Sequence, residues 1–319
     1  MKKALIIGIT GQDGSYIASY LSHQGFHVCG TTRKTTANTH HNHSLLNIAD
    51  SVSIYELDIT DSSQINQLLD HIRPDIIYHL GGLTSVSQSF SDPIEAFTSI
   101  CLSTLNLLEC VRVNHQHARV FIPCSTDCFG QTKSDQPATE LTAFNPCSPY
   151  ALAKSSAYEL AHFYRTQYGL FVSVGILSNH ESPLRGSQFV TSKLVRSINS
   201  ILTGSRTLIK LGNISVVRDW CWAPEVTMGI IKLMDLHKPE TVILSSGKSS
   251  PLEDLISIMF SKSGLGDYRQ YVTCSNELMR SNEVSSIFLS PTKASQVIPW
   301  THTTTLEQIG EKLLDKILY

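Results

Sequence analysis

Three glycines near the start of the chain constrain its fold more than any other feature. Residues 4–16 read ALIIGITGQDGSY, so that Gly8, Gly11 and Gly14 form a G-x-x-G-x-x-G pattern directly after an apolar strand and directly before a helix. Glycines allow a tight turn and a close approach of the backbone to a pyrophosphate, and the first N–H groups of the helix supply unpaired donors. In this context the pattern predicts a dinucleotide-binding βαβ unit.

The segments that follow alternate between short apolar runs and longer amphipathic stretches. FHVCGTT and DIIYHLGG have the composition of buried strands, whereas SSQINQLLDHI has that of a helix. Such alternation is typical of βαβ units and a parallel sheet. The expected fold class is therefore α/β, a Rossmann-type doubly wound parallel sheet, with FVSVGIL (171–177) as its sixth strand.

A change of texture after Ser178 predicts a second, smaller lobe. The polar stretch NHESPLRGSQ precedes shorter elements, whereas TVILSSG (241–247) has the composition of a strand that returns to the sheet. A chain of 319 residues suits two lobes, since single cores stop growing at about 250 to 300 residues. We expect a nucleotide-binding domain of residues 1–178 plus about 216–248, and a discontinuous C-terminal substrate lobe of about 179–215 and 249–319.

Charge and composition exclude several classes of partner. The 25 Lys and Arg against 27 Asp and Glu leave no basic field for a nucleic acid or an anionic membrane. No run of about 18 apolar residues is expected to span a bilayer, and the N-terminal strand leaves no room for a signal peptide, so a cytoplasmic protein is expected. The 8 cysteines are scattered and expected to be reduced, and THHNH (39–43) is expected to be a solvated loop rather than a metal site.

The end of the second predicted strand distinguishes between two dinucleotides. The strand ends TTRK, with Arg33 and Lys34, and no acid stands where a ribose 2′-hydroxyl would be bound. Cationic side chains there suit a 2′-phosphate, so the sequence favours NADP over NAD, with two solvated cations as the alternative. Asp58 and Ile59, after the third strand, are expected beside the adenine.

A tyrosine and a lysine at helical spacing are the candidate proton-transfer residues. Tyr150 and Lys154 lie at i and i+4 on one face of a helix predicted from Pro149 to about Tyr168. A phenol with an ordinary pKa near 10 is a poor base, but a neighbouring ammonium and a positively charged nicotinamide ring favour the phenolate. A helix surface without function is the alternative for this common pattern.

Polar residues also follow the strand RVFIPC (119–124). Ser125 lies at its C-terminal end, where ligands of open α/β sheets bind, and its hydroxyl could hydrogen-bond a substrate oxygen while Tyr150 removes that oxygen's proton. No G-x-S-x-G motif surrounds Ser125, so a nucleophilic serine is not expected. Asp127 offers either a catalytic carboxylate or a cap for the next turn.

Several segments together resemble the GDP-mannose 4,6-dehydratase family of extended short-chain dehydrogenase/reductases. The resemblance runs from Lys3 to about Lys312, and the NHESPLRG and LGN with RDW segments are its most specific part. The matching segments are GITGQDGSY (8–16), DITDSS (58–63), SPYALAK (148–154), GILSNHESPLRG (175–186), FVTSK (189–193), LGN and RDW (211–220), MRSNEVSS and PTKA.

The resemblance implies a tightly held NADP. The glycine loop would hold the pyrophosphate, Arg33 the 2′-phosphate, Asp58 and Ile59 the adenine, and the segment after the fourth strand the ribose side. His180 and Arg185 match further cofactor-contacting positions, which a neighbouring subunit could supply in this family. The full set of cofactor residues is Gly8, Ile9, Thr10, Gly11, Gln12, Asp13, Gly14, Arg33, Asp58, Ile59, Leu80, Gly81, Gly82, Thr84, Tyr150, Lys154, His180 and Arg185.

The resemblance also implies a GDP-hexose substrate and a reaction that uses one hydride twice. Tyr150 would take the C4 hydroxyl proton as hydride passes to NADP, a carboxylate would remove the C5 proton, water would leave from C6, and hydride would return there. The catalytic residues would be Ser125, Thr126, Asp127, Tyr150 and Lys154. The substrate-binding residues would be Ser85, Asn179, Val190, Lys193, Arg218, Arg280 and Glu283.

Departures from the family pattern keep other activities open. Asp127 stands where the family has Glu, which withdraws the carboxylate by ~1.5 Å. Ser125 is more typical of related epimerases and reductases, Glu95 stands where a Tyr is expected, and Cys147 replaces an Arg. A GDP-4-keto-6-deoxyhexose reductase, an epimerase or a GDP-sugar 4-dehydrogenase is the alternative on the same fold, and a non-catalytic NADP-binding subunit is the remote one.

Two long helices bear on the assembly of the protein. The predicted helices 93–114 and 149–168 resemble those that pair into a four-helix interface in this superfamily, and a two-fold dimer is the commonest closed assembly. Tetramers also occur among the dehydratases, and Arg185 would favour one. A homodimer or a homotetramer is therefore expected.

Overall fold

The computed structural model of the protein describes residues 1–205, 207–279 and 283–315, so that the predicted substrate residue Arg280 lies outside the described residues. The strands, numbered along the chain, are β1 (Lys3–Ile7), β2 (His27–Thr32), β3 (Val52–Glu56), β4 (Ile76–His79), β5 (Arg119–Ser125), β6 (Val172–Leu177), β7 (Asn179–Glu181), β8 (Ile209–Leu211), β9 (Val217–Trp222), β10 (Thr241–Leu244), β11 (Ser249–Pro251) and β12 (Val272–Cys274).

The helices cover the sheet on both faces and build the second lobe. A π-helical segment, Thr98–Leu102, joins the fifth helix to the sixth, so that Pro93–Asn114 is continuous as predicted. The α-helices are α1 (Gln12–His23), α2 (His41–Leu45), α3 (Ser62–Ile72), α4 (Val86–Ser91), α5 (Pro93–Phe97), α6 (Ser103–Asn114), α7 (Pro149–Tyr168), α8 (Val190–Leu202), α9 (Ala223–Met234), α10 (Leu252–Lys262), α11 (Thr292–Val297) and α12 (Leu306–Leu314).

The main sheet has seven parallel strands, and its strand order reverses at β1. The order is β10-β6-β5-β4-β1-β2-β3, with Ile7 of β1 in register with Thr31 on one side and His79 on the other. Chains that leave β1 and β4 at the same edge diverge, which opens the crevice where ligands of such sheets bind. The predicted α/β, doubly wound fold is confirmed, including the sixth strand and the return of TVIL to the sheet.

Three clusters of buried apolar side chains form the core. One face of the sheet packs against α3, α6 and α7 through residues such as Leu69, Leu107 and Ala161. The other face packs against α1 and α9. A third cluster joins α8, α10 and α12 with Leu211 and Trp220, and it forms the interior of a smaller body beside the sheet.

Two segments pack differently from the predicted division of the chain. Val216 and Trp220, assigned above to the nucleotide-binding domain, lie in the third cluster, because β9 pairs with β7 and β11 and not with the main sheet. Ala294 and Trp300, assigned to the substrate lobe, pack with α9 beneath the main sheet, where Trp300 Nε1 donates to the Glu225 carbonyl at 2.7 Å. The division into two domains stays a prediction, with β9 packed in the smaller body and the segment of Ala294 and Trp300 packed against the main sheet.

One helix has the length and composition of a membrane span. Within the 22 residues of Pro93–Asn114, the most apolar 18-residue window has a mean hydropathy of 1.4, and 44% of that window is buried. The expectation that no segment spans a bilayer stays a prediction for this helix. Because α6 also packs against α7, and core helices pass the same test of length and composition, it is weak evidence for a span.

Candidate active site

The glycine loop forms a cradle too narrow for side chains at two of its positions. Gly8 has a φ of 85°, in the left-handed region, and its carbonyl accepts the Gly11 N–H at 3.1 Å. A Cβ at Gly14 would lie 2.5 Å from the Gly8 oxygen, closer than real Cβ contacts. Gly11 occupies the N-cap of α1 and has no side chain to cap it, so the first N–H groups of α1 face the crevice.

Helix α2 supports this loop, which the sequence did not reveal. The His43 ring lies with Nε2 3.0 Å from the Ile9 carbonyl, and Asn42 Nδ2 donates to the Thr10 carbonyl at 3.0 Å. His43 is fully buried, so the expectation of a solvated loop over 39–43 is wrong at this residue, whose ring packs against the loop that it holds. Among the described residues no group of three or more His, Cys, Asp or Glu could hold a metal ion.

A cavity of about 470 Å³ opens between α2 and the end of β2. Lys34 and His41 bring cationic or protonatable groups to it, whereas the neighbouring Arg33 is not among its lining residues. Arg33 instead points to Glu95, with 2.9 Å between Nη2 and Oε1. The lining residues are Thr10, Thr32, Lys34, Thr36, Asn38, Thr39, His41 and Asn42.

Asp13 and His180 form a largely enclosed ion pair beside the glycine loop. Their side chains are 19% and 12% exposed, and His180 Nε2 lies 3.0 Å from Asp13 Oδ2 while Nδ1 lies 2.7 Å from the Ser178 carbonyl. Burial opposes both charges, but the opposite charge and the hydrogen bond outweigh it, which raises the pKa of His180 and lowers that of Asp13. Since both ring nitrogens face acceptors, His180 is held as the imidazolium.

Arg185 is engaged within its own chain. Its Nε lies 3.1 Å from Glu181 Oε2, its Nη1 donates to the His180 carbonyl, and its guanidinium stacks 4.1 Å from the Phe189 ring centroid. The structure therefore places His180 and Arg185 together next to Asp13, as parts of one network. Contact of Arg185 with a cofactor of a neighbouring subunit stays a prediction.

Ser125, Thr126 and Asp127 lie where β5 turns into a short 3₁₀-helix, Thr126–Phe129. Ser125 Oγ donates to Asp127 Oδ2 at 3.1 Å and accepts the Asp127 N–H at 3.2 Å. The turn is thus capped by Ser125, and Asp127 does not serve as that cap. Its carboxylate faces a narrow cleft instead.

The first two turns of α7 bring the tyrosine and the lysine to the same place. Ser148 Oγ caps the helix by accepting the Ala151 N–H at 3.0 Å, and Pro149 is its first residue. These two residues fix the start of α7 and thereby place Tyr150 in its first turn. Lys154 Nζ donates to the Pro123 carbonyl at 3.0 Å and lies 6.0 Å from the centroid of the Tyr150 ring.

Burial decides the electrostatics of Tyr150 in the protein itself. Burial is the largest effect and the Asp127 charge adds to it, so the pKa of Tyr150 is raised well above its ordinary value despite a hydrogen bond with Ser125 that lowers it. Burial likewise lowers the pKa of Lys154. The prediction that Lys154 and the positive charge of a nicotinamide ring together favour the phenolate stays a prediction.

The cleft in front of Asp127 joins the two lobes. Arg218, 8% exposed, donates from Nη2 to the Val284 carbonyl at 2.7 Å and from Nη1 to the Val217 carbonyl at 2.9 Å. Arg218 and Glu283 thus line the same cleft as Asp127, and their role in GDP binding stays a prediction. The residues lining the cleft are Val86, Phe90, Asp127, Cys147, Ser148, Arg218, Glu283 and Val284.

The other predicted substrate residues have structural contacts of their own. Ser85 caps α4 by accepting the Gln88 N–H at 3.1 Å, and Asn179 lies in β7 opposite Trp220. Val190 is the first residue of α8, and Lys193 donates from Nζ to the Lys210 carbonyl at 2.9 Å. None of these contacts tests a role in GDP binding.

The remaining cofactor candidates line the crevice beside β1. Leu80 donates its N–H to the Ile7 carbonyl at 2.9 Å. Gly82 has a φ of 118°, and a Cβ there would lie 2.6 Å from the Ser99 carbonyl, so only glycine fits. Leu80 and Gly81 therefore pass close to Gly8 of the glycine loop, and the predicted contacts of the segment from Leu80 to Thr84, and of Asp58 and Ile59, with a cofactor stay predictions.

A pair of thiols was missed because its residues come together only through the turn after β5. Cys124 and Cys128 are both buried, with 3.6 Å between their Sγ atoms. All eight cysteines of the chain are free in the structure, as expected.

Comparison with known proteins assigns these features to one family. A sequence profile described as GDP-mannose 4,6 dehydratase matches residues 5–313. The chain belongs to the GDP-mannose 4,6-dehydratase family. A curated GDP-mannose 4,6 dehydratase 2 of Arabidopsis thaliana is 33% identical over 99% of this chain and 87% of its own length. The GDP-mannose 4,6-dehydratase of Yersinia enterocolitica is 33% identical over 98% and 93%.

Solved structures agree with this family in fold. A UDP-glucose 4-epimerase of Thermus thermophilus in complex with NAD superposes with a TM-score of 0.86, 19% identity and 99% coverage of both chains. RMD from Pseudomonas aeruginosa, complexed with NADPH, has a TM-score of 0.81, 21% identity and the same coverage. At these identities the likeness shows that this chain shares its fold with the UDP-glucose 4-epimerase and with RMD, and no more.

Proposed function

We propose that the protein is an NADP-dependent lyase of the GDP-mannose 4,6-dehydratase type, which converts a GDP-hexose into a GDP-4-keto-6-deoxyhexose and water. Membership of the family over almost the whole chain supports an enzyme of this type. The observation that carries the proposal is the meeting of Ser125, Asp127 and Tyr150 at the end of β5, in a cleft that Arg218 and Glu283 face from the other lobe.

A nicotinamide dinucleotide fits the crevice of this structure. The cradle that a Cβ at Gly14 would fill and the free end of α1 suit a pyrophosphate. NADP in particular is supported by the cavity beside β2, which presents Lys34 and His41 and, among the described residues that line it, no carboxylate. A 2′-phosphate would be favoured there and a bare ribose hydroxyl less so.

The chain's own residues supply the proton transfers. When bound, the nicotinamide ring serves as the temporary acceptor of the hydrogen on C4, returns it at C6, and brings a positive charge beside Tyr150. That charge and the Lys154 ammonium lower the cost of a phenolate, so Tyr150 can remove the C4 hydroxyl proton while Ser125 hydrogen-bonds the same oxygen.

Asp127 is assigned the second proton. Oxidation at C4 makes the C5 proton acidic, and the Asp127 carboxylate removes it. The carboxyl group so formed can protonate the hydroxide that leaves from C6, which makes Asp127 both base and acid. The substrate loses one molecule of water, and the electrons taken at C4 are returned at C6. The enolate so formed takes a proton at C5 from Tyr150, which holds the C4 hydroxyl proton and exchanges it with water, so no external oxidant is consumed.

One observation favours a second candidate. Because the Ser125 hydroxyl is bonded to a carboxylate one methylene shorter than in the family, C5 chemistry could be lost while C4 chemistry remains. The chain would then be a reductase, an epimerase or a 4-dehydrogenase acting on a GDP-sugar.

Incubation with GDP-mannose in deuterated water separates these candidates. A dehydratase gives a product lighter by one water that carries deuterium at C5, identified by mass spectrometry and proton NMR. An unchanged sugar, an epimer or a ketone that retains its C6 oxygen would remove the dehydratase proposal.

We also propose a cytoplasmic homodimer. The long helices α6 and α7 pack side by side and expose apolar side chains on one surface, which a second copy could cover. Light scattering on the purified protein tests the dimer: a twofold mass is expected, whereas a monomer would contradict it, and a tetramer would extend it. The exposed apolar side chains of this surface are Leu102, Leu105, Val113, Leu152 and Phe163.

A further inference from the structure

The cation that the sequence assigns to a 2′-phosphate already has an acidic partner. Arg33, directly after β2, forms an ion pair with Glu95 of α5, with 2.9 Å between Nη2 and Oε1. The side chains are 76% and 32% exposed, so the pair lies at the mouth of the crevice. Glu95 is a position at which this chain departs from its family, where a tyrosine is expected.

The backbone of α5 fixes Glu95 next to the predicted cofactor segment. The Glu95 N–H donates to Asp92 Oδ1 at 3.0 Å, and its carbonyl accepts Ser99 Oγ at 2.6 Å. The same Ser99 hydroxyl oxygen accepts the Leu83 N–H at 3.0 Å. Since these bonds use the backbone of Glu95, its side chain can be replaced without breaking them.

The charge of Glu95 opposes a 2′-phosphate. A phosphate that recruits Arg33 must either break the ion pair or accept a carboxylate beside it, whereas an uncharged ribose hydroxyl meets neither cost. Lys34 and His41, which line the cavity, are not bonded to Glu95 and remain available to a phosphate. The pKa of Asp58 is lowered mainly by its hydrogen bonds with Thr60, and the Arg33 charge adds a smaller effect.

We propose that Glu95 is a cofactor-selectivity residue: by holding Arg33 it reduces the preference for NADP over NAD. The proposal rests on the nicotinamide cofactor of the proposed function. Exposed ion pairs contribute about 0.2 to 1 kcal/mol, so removal of the Glu95 charge is expected to tighten NADP binding about 1.4- to fivefold.

Titrations of Glu95→Gln with NADP⁺ and with NAD⁺, followed by calorimetry, test this effect. The variant should bind NADP⁺ about 1.4- to fivefold more tightly than the native protein and bind NAD⁺ equally well. Glu159→Gln, which removes an exposed carboxylate from α7, should change neither constant. In Arg33→Gln with Glu95→Gln the gain should vanish. An equal change for both cofactors, or no change for NADP⁺, would overturn the proposal, as would a failure to bind either cofactor.

A second experiment identifies the nucleotide that the protein carries from the host in which it is produced. Denaturation releases that nucleotide, and the NADP share of it should be larger for Glu95→Gln than for the native protein. Both readouts measure binding and not turnover. If selectivity shifts but the protein makes no 4-keto-6-deoxy sugar, the inference about Glu95 stands and the proposed reaction is wrong. If the protein makes that sugar but selectivity does not shift, the proposed reaction stands and the inference is wrong.

Discussion

The hydroxyl of Ser125 donates a hydrogen bond to the carboxylate of Asp127, with 3.1 Å between Oγ and Oδ2. Two residues assigned to different carbons of the sugar are therefore bonded to each other at rest. When Ser125 turns its hydroxyl toward the C4 oxygen, the Asp127 carboxylate loses this donor and can approach the C5 proton. This bond couples the first step of the proposed reaction to the second.

Replacement of the tyrosine should abolish turnover and leave cofactor binding intact. Tyr150→Phe removes the group that accepts the C4 proton, and general acid–base residues contribute about 10²- to 10⁴-fold to rate. The rate of product formation from GDP-mannose should fall by that factor, while the Kd of NADP⁺ stays the same. Tyr158→Phe, on the same helix, is the control and should retain activity. Native turnover by Tyr150→Phe would exclude the proposed role.

Removal of the Asp127 charge should separate oxidation from elimination. In Asp127→Asn the C4 chemistry persists, but the amide cannot take the C5 proton, so a C4 ketone should form without loss of the C6 oxygen and without deuterium at C5. Asp127→Glu keeps the charge and restores the family's reach, and it should eliminate at least as fast as the native protein. Exchange of the C5 proton at the native rate in Asp127→Asn would assign that step to another base.

Two glycines of the same loop should differ in their tolerance of alanine. A Cβ at Gly14 would lie 2.5 Å from the Gly8 oxygen and 2.8 Å from the Ile9 Cα, whereas one at Gly11 meets that oxygen at 3.4 Å. Gly14→Ala should lower the free energy of unfolding by about 1 to 3 kcal/mol, as overpacking does, and Gly11→Ala by less. Urea unfolding without cofactor measures both, and equal losses would contradict the tight packing of the cradle.

The ion pair of Asp13 and His180 should make stability depend on pH in two ranges. His180 has a pKa above its ordinary 6.5, so its contribution is complete below pH 6.5 and is lost as pH rises through the raised pKa. Asp13 has a pKa below its ordinary 3.8, so its contribution is complete above pH 3.8 and is lost as pH falls through the lowered pKa.

His180→Asn tests this pH dependence. Removal of one partner of a buried pair costs about 3 kcal/mol, so the variant should be less stable than the native protein by about that amount at pH 6. The difference should shrink at pH 9, because the stability that a raised histidine pKa contributes declines above pH 6.5. Urea unfolding at the two pH values measures it, and a difference that is constant or larger at pH 9 would show that His180 is neutral in the folded protein.

The sheet and its long helices could be predicted because local pattern and tertiary structure agree there. Runs such as ALII and VSVGIL are almost entirely apolar, as expected of strands buried on both faces. Helix α7 begins at Pro149 behind its Ser148 cap and ends at Gly169, which has a φ of 69°, so both ends are marked in the sequence. The lobe boundary was less predictable, because Trp220 and Trp300 pack by contacts between distant segments.

The site was predictable in its residue types but not in its pairings. The sequence places Ser125, Tyr150 and Lys154 at the right edge of the sheet, yet whether burial or the lysine decides the pKa of the phenol depends on the folded surroundings. The sequence likewise shows that Arg33 is a cation at the end of β2, but it does not show its partner. Glu95 lies 62 residues later in the chain, and only the fold brings it to Arg33.

The fate of the hydrogen on C4 tests the proposed reaction most directly. GDP-mannose that carries deuterium at C4 is incubated with the protein in ordinary water, and the product is examined by deuterium NMR. The proposed internal transfer predicts a 4-keto-6-deoxy sugar with the deuterium at C6. Deuterium that stays at C4, or that is lost from the sugar to free cofactor, would contradict a dehydratase.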